Sequence, residues 1–198
     1  MRGIEQIPWL YDLLMALATR LERWRAELVA EASGQVLEVG CGTGRGLPDY
    51  ADDVELFALD LNFSSLDRAR QRRPEARLVC ASAEAIPFAD DSFDCVVSSL
   101  VFCSVPDAAR GLEEIKRVLR PSGQLLMLEH VQARSPFLAR VLNRIQPVWT
   151  AFSGGCHPNR NTVAAVEQAG FVIEPESFRE RGLMRRFVGH PQRLESSN

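Results

Sequence analysis

A short apolar segment followed by closely spaced glycines constrains the fold of this chain more than any other stretch. Residues 36–39 form an apolar run typical of a buried strand. Glycines then occupy every second position: Gly40, Gly42 and Gly44. Glycine adopts positive φ at low cost and lets a ligand approach the backbone where a Cβ would block it. We predict that residues 45–51 begin a helix, which Pro48 keeps short. Strand, glycine loop and helix N-terminus together predict a nucleotide site of the Rossmann kind.

The spacing and charge of the glycine loop (residues 40–44) separate the ligands that such a site could hold. A dinucleotide-binding loop has its third glycine three positions after the second, whereas here the interval is two. No Gly-Lys-Ser/Thr follows, which excludes a phosphate-binding P-loop. Glu38 precedes the loop, and its carboxylate would repel a pyrophosphate but attract an ammonium group. These features favour S-adenosylmethionine (SAM), which carries an amino group and a sulfonium.

A second acid follows at the spacing that this kind of sheet requires. Residues 54–59 predict another apolar strand, which ends at Asp60, about 20 residues after the glycines. A carboxylate at this point accepts hydrogen bonds from ribose hydroxyls. The same acid would serve NAD, so Asp60 indicates an adenosine ligand without distinguishing the two.

The glycine loop and a later segment resemble the class I SAM-dependent methyltransferases. Glu-Val-Gly-Cys-Gly-Thr-Gly, residues 38–44, resembles their first motif, in which the glycines pack on the cofactor and the acid serves its methionyl end. Residues 82–88 resemble the loop at the adenine ring, although Ser82 stands where the family commonly has Asp. A hydroxyl can still accept from the adenine amino group, without charge. The resemblance and the strand ends together predict a cofactor site of Glu38, Gly40, Cys41, Gly42, Gly44, Asp60, Leu61, Ser82, Ala83, Glu84, Ser99 and Leu100.

Segments beyond the cofactor motifs narrow the resemblance. Leu-Val-Phe-Cys-Ser-Val (100–105), Arg-Val-Leu-Arg-Pro-Ser-Gly (117–123) and Leu-Glu-His (128–130) are similar to a methyltransferase-like group that includes animal thiol methyltransferases. The turn at residues 154–160 also resembles that group. The wider type 11 group includes ubiquinone/menaquinone C-methyltransferases and bacterial phospholipid N-methyltransferases. The resemblance covers roughly residues 35–170 and implies methyl transfer to a small-molecule acceptor, a thiol or an apolar compound, with S-adenosyl-L-homocysteine as product.

The fold implied is α/β, a Rossmann-like seven-stranded sheet that is mostly parallel, with an antiparallel last strand and helices on both faces. We divide the chain into an N-terminal helical lid or cap (1–34), a methyltransferase domain (35–190) and a flexible tail (191–198). Leucines recur at helical spacing before residue 34 and predict an amphipathic helix. A covering helix, a lid over the acceptor and a loosely membrane-attached helix all remain open for this segment. Residues 171–178 and 183–189 predict a closing pair of strands.

Candidate catalytic residues follow from the chemistry of methyl transfer. The reaction is an in-line displacement with a good leaving group, so the protein needs mainly to align the acceptor and exclude water. A thiol or quinol acceptor would benefit from a base. His130, at the end of the predicted fifth strand, is the first candidate because its unperturbed pKa lies near neutrality. His157, in the glycine-rich turn, is the second, and Tyr11 in the N-terminal segment is a weaker one.

Net charge and cysteine content argue against a nucleic-acid-binding protein and against a metalloprotein. The net charge of −3 argues against a nucleic-acid partner, and no Asn/Asp-Pro-Pro-Tyr/Phe motif follows the fourth strand. Five dispersed cysteines without metal-ligand spacing indicate a reduced, cytoplasmic protein with no metal site. We expect neither a signal peptide nor a spanning helix. Three alternatives remain: a phospholipid N- or quinone C-methyltransferase at the membrane surface, a non-catalytic SAM-binding regulator, and an NAD-dependent oxidoreductase. The oligomeric state stays open.

Overall fold

The computed structural model describes residues 19–130, 140, 144, 157, 160–182 and 184–192. The predictions for Tyr11, for most of the N-terminal lid and for nearly all of the tail lie outside these residues. Within them are four longer helices: α1 (Thr19–Val29), α2 (Phe63–Arg72), α3 (Ala108–Val118) and α4 (Thr162–Gln168). The strands are β1 (Gln35–Val39), β2 (Glu55–Asp60), β3 (Arg77–Cys80), β4 (Phe93–Ser99), β5 (Leu119–His130), β6 (Phe171–Ile173), β7 (Arg179–Arg181) and β8 (Met184–Pro191).

The strands form one sheet in the order β3-β2-β1-β4-β5-β8-β6, and β7 also pairs with β8. Strands β1 to β5 pair in parallel. β8 runs antiparallel to its neighbours, which confirms the mostly parallel sheet with an antiparallel last strand. The described part has eight strands rather than seven because the predicted strand 171–178 is broken. Pro175, which lacks an N–H, opens a 3₁₀ turn (Pro175–Ser177) between β6 and β7.

Side chains are buried on both faces of the sheet. Along β1, Val36 belongs to one apolar cluster, while Leu37 and Val39 belong to the other. Such two-sided burial is typical of parallel strands covered by helices. α1 and α2 contribute to the first cluster, and α3 and α4 contribute to the second. The prediction of helices on both faces is therefore confirmed.

Several boundaries differ from those predicted. The glycine loop leads into a single 3₁₀ turn, Leu47–Asp49, so no α-helix begins there. α3 begins at Ala108 and is capped by the Asp107 side chain, although Pro106 is a residue typical of a helix's first turn. It ends at Val118 and β5 starts at once with Leu119; residues 120–123 then interrupt the pairing of β5 with β4. Asn62 caps α2: its Oδ1 accepts from the backbone N–H groups of Ser64 and Ser65 at 3.0 and 3.3 Å.

The length and apolarity of a helix decide whether it could span a membrane. None of the helices in the described ranges combines the length and apolarity needed to cross a bilayer.

Within the same ranges, no group of three or more His, Cys, Asp or Glu side chains could hold a metal ion.

Candidate functional site

A cavity of about 680 Å³ opens at the carboxyl ends of β1, β2 and β4. This is the edge at which doubly wound sheets hold their ligands. Ten of the twelve residues predicted for the cofactor lie on its wall: Glu38, Gly40, Cys41, Gly42, Asp60, Leu61, Ser82, Ala83, Ser99 and Leu100. Gly44 and Glu84 are not among the lining residues and contact other parts of the fold.

Gly44 serves packing of the loop against a helix. Its φ is +76°, and a Cβ there would lie 2.6 Å from Cα of Ala69 in α2. The absence of a side chain lets α2 approach the loop closely.

Glu84 holds the start of α3. Its Oε1 accepts from the backbone N–H of Asp107 at 2.6 Å, and its carbonyl accepts from Nε of Arg110 at 2.8 Å. These bonds satisfy an N–H at the helix entrance, where intrahelical partners are missing. The Glu84 carboxylate is therefore committed to the scaffold beside the cavity.

The other two glycines of the loop differ in what lies beside them. Gly40 has φ +71°, and a Cβ would lie 2.5 Å from Cγ2 of Val101, so this glycine admits the segment after β4. Gly42 has φ +54°, and a Cβ would meet nothing within 4 Å. Because Gly42 lines the cavity, that open space is room for a ligand against the bare backbone.

Asp60 faces the cavity from the end of β2. Its Oδ2 accepts from the backbone N–H of Gly42 and its Oδ1 from that of Asn62, each at 2.8 Å. Burial raises the pKa of the carboxyl, and the two hydrogen bonds oppose the rise. Each carboxylate oxygen has a second lone pair, so the group could still accept from ribose hydroxyls.

Glu38 lines the same cavity from β1 and is only 4% exposed. Burial raises its pKa to about 7, while the Tyr50 hydroxyl and the Arg25 guanidinium act in the opposite direction. A Cβ on Gly46 would lie 3.1 Å from Nε of Arg25 and 3.6 Å from Oε1 of Glu38. The glycine therefore lets α1 bring its arginine close to the acid.

The contribution of α1 was not predicted. Arg25 forms an ion pair with Glu22, whose Oε1 also accepts from Nε of Arg45 at 2.9 Å. Both arginines line the cavity beside Glu38. A carboxylate next to guanidinium groups suits the ammonium and carboxylate of an amino-acid moiety, as SAM carries. The sequence pattern of α1 places Glu22 and Arg25 on its polar face. Nothing in that pattern indicates that this face is directed toward the glycine loop.

The candidate bases occupy different positions. The backbone N–H of His157 donates to the carbonyl of Cys103 at 2.7 Å, and Nδ1 of His157 is buried without a hydrogen-bond partner in the described part of the chain. His157 thus adjoins the β4 loop (residues 100–105) but does not itself line the cavity. His130 ends β5, where its backbone pairs with Met184. Tyr11 lies outside the described residues.

Comparisons with known proteins agree with this geometry. Residues 37–127 match the family model described as a methyltransferase domain. The chain is 33% identical over 181 residues to thiol S-methyltransferase TMT1B of Homo sapiens, covering 83% of this chain and 74% of that protein. It is 38% identical over 124 residues to a demethylmenaquinone methyltransferase of Renibacterium salmoninarum, covering 60% and 51%.

A solved structure shares the fold. A SAM-dependent methyltransferase of Thermotoga maritima, described as a possible histamine N-methyltransferase, superposes with a TM-score of 0.67 at 20% identity, over 92% of this chain and 98% of that one. The chain spans 59% of the length of rat thiol S-methyltransferase TMT1B and about half of the demethylmenaquinone relative. The family match and the identity to the human relative lead to one assignment: the chain belongs to the SAM-dependent methyltransferases.

Proposed function

We propose that this protein transfers the methyl group of SAM to a small-molecule acceptor, and that the acceptor is a thiol. The observation that carries the cofactor assignment is the arrangement of two acids along one cavity. Glu38, flanked by Arg25, offers a site for an amino-acid moiety, while Asp60 offers acceptors for ribose hydroxyls. NAD has no ammonium group for Glu38, so the same cavity does not suit it.

Bound SAM would supply an electrophilic methyl group on a sulfonium that leaves readily. The chain would contribute alignment and exclusion of water. The bare backbone at Gly42 gives the cofactor its seat, and the apolar walls from Leu100 and Val105 give an acceptor a dry surface. Ser82 and Ala83 lie on the wall where the resemblance puts the adenine ring.

Similarity supports the thiol acceptor. The human relative named a thiol S-methyltransferase aligns with 83% of this chain, well beyond the cofactor motifs. A thiol must lose its proton to become a strong nucleophile, and a base beside the acceptor would assist. His157 adjoins the β4 loop with an unpartnered, buried Nδ1, which supports it for this role beside His130.

A direct assay tests the proposal. SAM labelled in its methyl group is incubated with the protein and, separately, with an alkyl thiol, a quinol and an amino-phospholipid. We expect label on the thiol, and its loss in an Asp60→Ala variant. Binding of SAM with no label on any acceptor would favour the non-catalytic regulator, and tighter binding of NAD than of SAM would overturn the cofactor assignment.

Quinol C-methylation is the second candidate. It is favoured by the 38% identity to a demethylmenaquinone methyltransferase, although that similarity spans only 124 residues. Label on the ring carbon of the quinol, with none on the thiol, would select it. Label on the amino-phospholipid alone would select the lipid N-methyltransferase instead.

A further inference from the structure

A fully buried carboxylate lies behind the cavity wall and has no part in the cofactor contacts predicted above. Glu129, near the end of β5, is 0% exposed. Its Oε1 accepts from the backbone N–H groups of Val101 and Phe102 at 2.9 and 3.0 Å. The hydroxyl of Ser98 donates to the same oxygen at 3.3 Å. One side-chain oxygen thus holds two consecutive amides where the chain leaves β4.

The segment held in this way forms part of the cavity wall. Leu100 and Val101 line the cavity, and Leu100 has φ +61°, a left-handed conformation that is costly for a residue with a side chain. Its N–H donates to the carbonyl of Leu128 at 2.8 Å. Such a conformation persists only where its surroundings enforce it, and the bonds to Glu129 immediately after Leu100 do so.

The same contact reaches the glycine loop. The Val101 side chain occupies the space that a Cβ on Gly40 would need, with Cγ2 only 2.5 Å from that position. A shift of the Val101 backbone would therefore change the packing on the loop that is predicted to seat the cofactor. Glu129 acts on the site through Val101 and is not itself among the residues that line the cavity.

The neighbouring strand provides a charge that suits this carboxylate. Arg185 of β8 lies directly opposite Glu129 in the antiparallel register and is 3% exposed. Directly opposite side chains share one face of the sheet and lie close together. Arg185 forms an ion pair with Glu180 of β7 at 2.7 Å, so the buried guanidinium lies between an exposed carboxylate on β7 and the strand that carries Glu129. A buried carboxylate needs such compensation.

We propose that Glu129 is a positioning residue for methyl transfer: its carboxylate sets the backbone of Val101 and Phe102, and through it the cavity wall on which cofactor and acceptor meet. The role in catalysis rests on the proposed function. The role of Glu129 in positioning the cavity wall does not rest on that function, because hydrogen exchange at the amides of Val101 and Phe102 reports on it directly.

The test compares the full-length wild-type protein with three variants. Glu129→Met keeps the size of the side chain and removes both acceptor oxygens. Glu129→Gln keeps an acceptor oxygen and removes the charge. Ser98→Ala, the matched control, removes the third contact to the same oxygen and leaves both backbone bonds. Hydrogen exchange is measured at the amides of the β4 loop and, for reference, at those of Val96 and Val97 in β4.

We expect Glu129→Met to speed exchange at Val101 and Phe102 by about tenfold or more, with the reference amides unchanged. The same variant should weaken SAM binding, measured by calorimetry, and lower kcat/KM for the labelled acceptor by about tenfold. Ser98→Ala should stay within about threefold of wild type in all three measurements. In Glu129→Gln, loss of charge assistance should speed exchange about fivefold.

The outcomes separate the two proposals. Unchanged exchange at Val101 and Phe102 in a folded Glu129→Met protein overturns the positioning role. If that variant does not fold, Glu129→Gln decides, and wild-type exchange there overturns it equally. The wild-type protein could also methylate none of the acceptors while Glu129→Met alters amide exchange and SAM binding. That result would support the positioning of the cavity wall by Glu129 and reject the proposed function.

Discussion

The backbone N–H of Gly42 donates to Oδ2 of Asp60 across 2.8 Å, which ties the glycine loop to the end of the neighbouring strand. The strands prepare this contact, because β1 and β2 pair in parallel up to Val39 and Leu59, the last residues in register. Gly40 extends the pairing by donating its N–H to the Leu59 carbonyl at 2.8 Å. The two halves of the cavity wall are thus connected before any ligand binds.

Removal of the Asp60 carboxylate should weaken SAM binding strongly. We expect Asp60→Ala to raise the Kd by about tenfold or more, because both the ribose acceptors and the anchor of Gly42 are lost. Isothermal calorimetry measures the change. Asp67→Ala, which removes an exposed acid from the adjacent helix, is the control and should bind as wild type does. Equal affinity in the Asp60 and Asp67 variants would contradict the assignment.

Two glycines with nearly the same backbone allow a matched test of the loop. Gly42 and Gly182 have φ of +54° and +60°, and neither has an atom within 4 Å of an added Cβ. Alanine at either position should cost about 1–2 kcal/mol of unfolding free energy, through backbone strain alone. Only Gly42→Ala should also lose SAM affinity, since only Gly42 lines the cavity. Thermal unfolding and calorimetry separate the two effects, and similar SAM affinity in both variants would refute a cofactor seat at Gly42.

Protonation of Glu38 should make stability depend on pH. Burial raises its pKa from 4.5 to about 7, so the folded protein holds a proton that the unfolded chain releases between these values. The contribution to stability is therefore full below about pH 4.5 and is lost as pH rises through 7, by about 3 kcal/mol. Denaturant unfolding of wild type and Glu38→Gln across this range measures it. The Gln variant should become progressively more stable than wild type as pH rises, and a constant difference would count against a shifted Glu38.

The affinity for SAM should also depend on the protonation of Glu38, but it should increase as pH rises, whereas the stability contribution decreases. The ammonium of SAM favours the ionised carboxylate, so binding should release a proton and tighten as pH rises from about 6 to 8. Glu38→Gln should bind more weakly and lose that pH dependence. Calorimetry in buffers of different ionisation enthalpy counts the proton released. No release in wild type would mean that the ammonium does not meet Glu38.

The candidate bases can be separated by kinetics. We expect His130→Ala or His157→Ala to lower kcat for a thiol acceptor by about a hundredfold, with SAM affinity nearly unchanged. His190→Ala is the control, because His190 contacts Glu174 and the Gly123 carbonyl at the far side of the sheet. Full activity in both His130 and His157 variants would leave the thiol to ionise without histidine assistance.

The predicted cofactor residues were chosen from local signals, and ten of the twelve line one cavity. Glycines at alternate positions, followed by an acid at a strand end, predict a ligand edge because backbone conformation and strand order follow from nearby residues. Gly44 and Glu84 show the limit of this approach. Each belongs to a family motif, yet Gly44 leaves room for the close approach of Ala69 in α2, and Glu84 accepts from the N–H of Asp107. A motif states which residues are grouped in sequence and not which atom each of them meets.

Local sequence preferences also did not fix the exact ends of helices and strands, for a related reason. Residues 120–123 contain Pro121 and Gly123, which are typical of a turn, yet they belong to β5 and interrupt its register with β4 between the paired residues Leu119 and Gln124. Pro106 is typical of a helix's first turn, whereas the helix begins only after Asp107, whose side chain caps it. In each case a contact with a distant segment or a side-chain cap outweighed a local preference.

The sequence by itself determined the fold class, and it predicted the strand edge at which the cavity lies and the two acids on the cavity wall, because periodicity, glycine spacing and strand ends are local properties of the chain. Only the tertiary structure decided that Arg25 of α1 meets Glu38 and that Glu129 holds the amides of Val101 and Phe102. These partners are separated by 13 and by 27 to 28 residues along the chain. Contacts of this kind arise from how helices pack and strands align, and no local pattern encodes them.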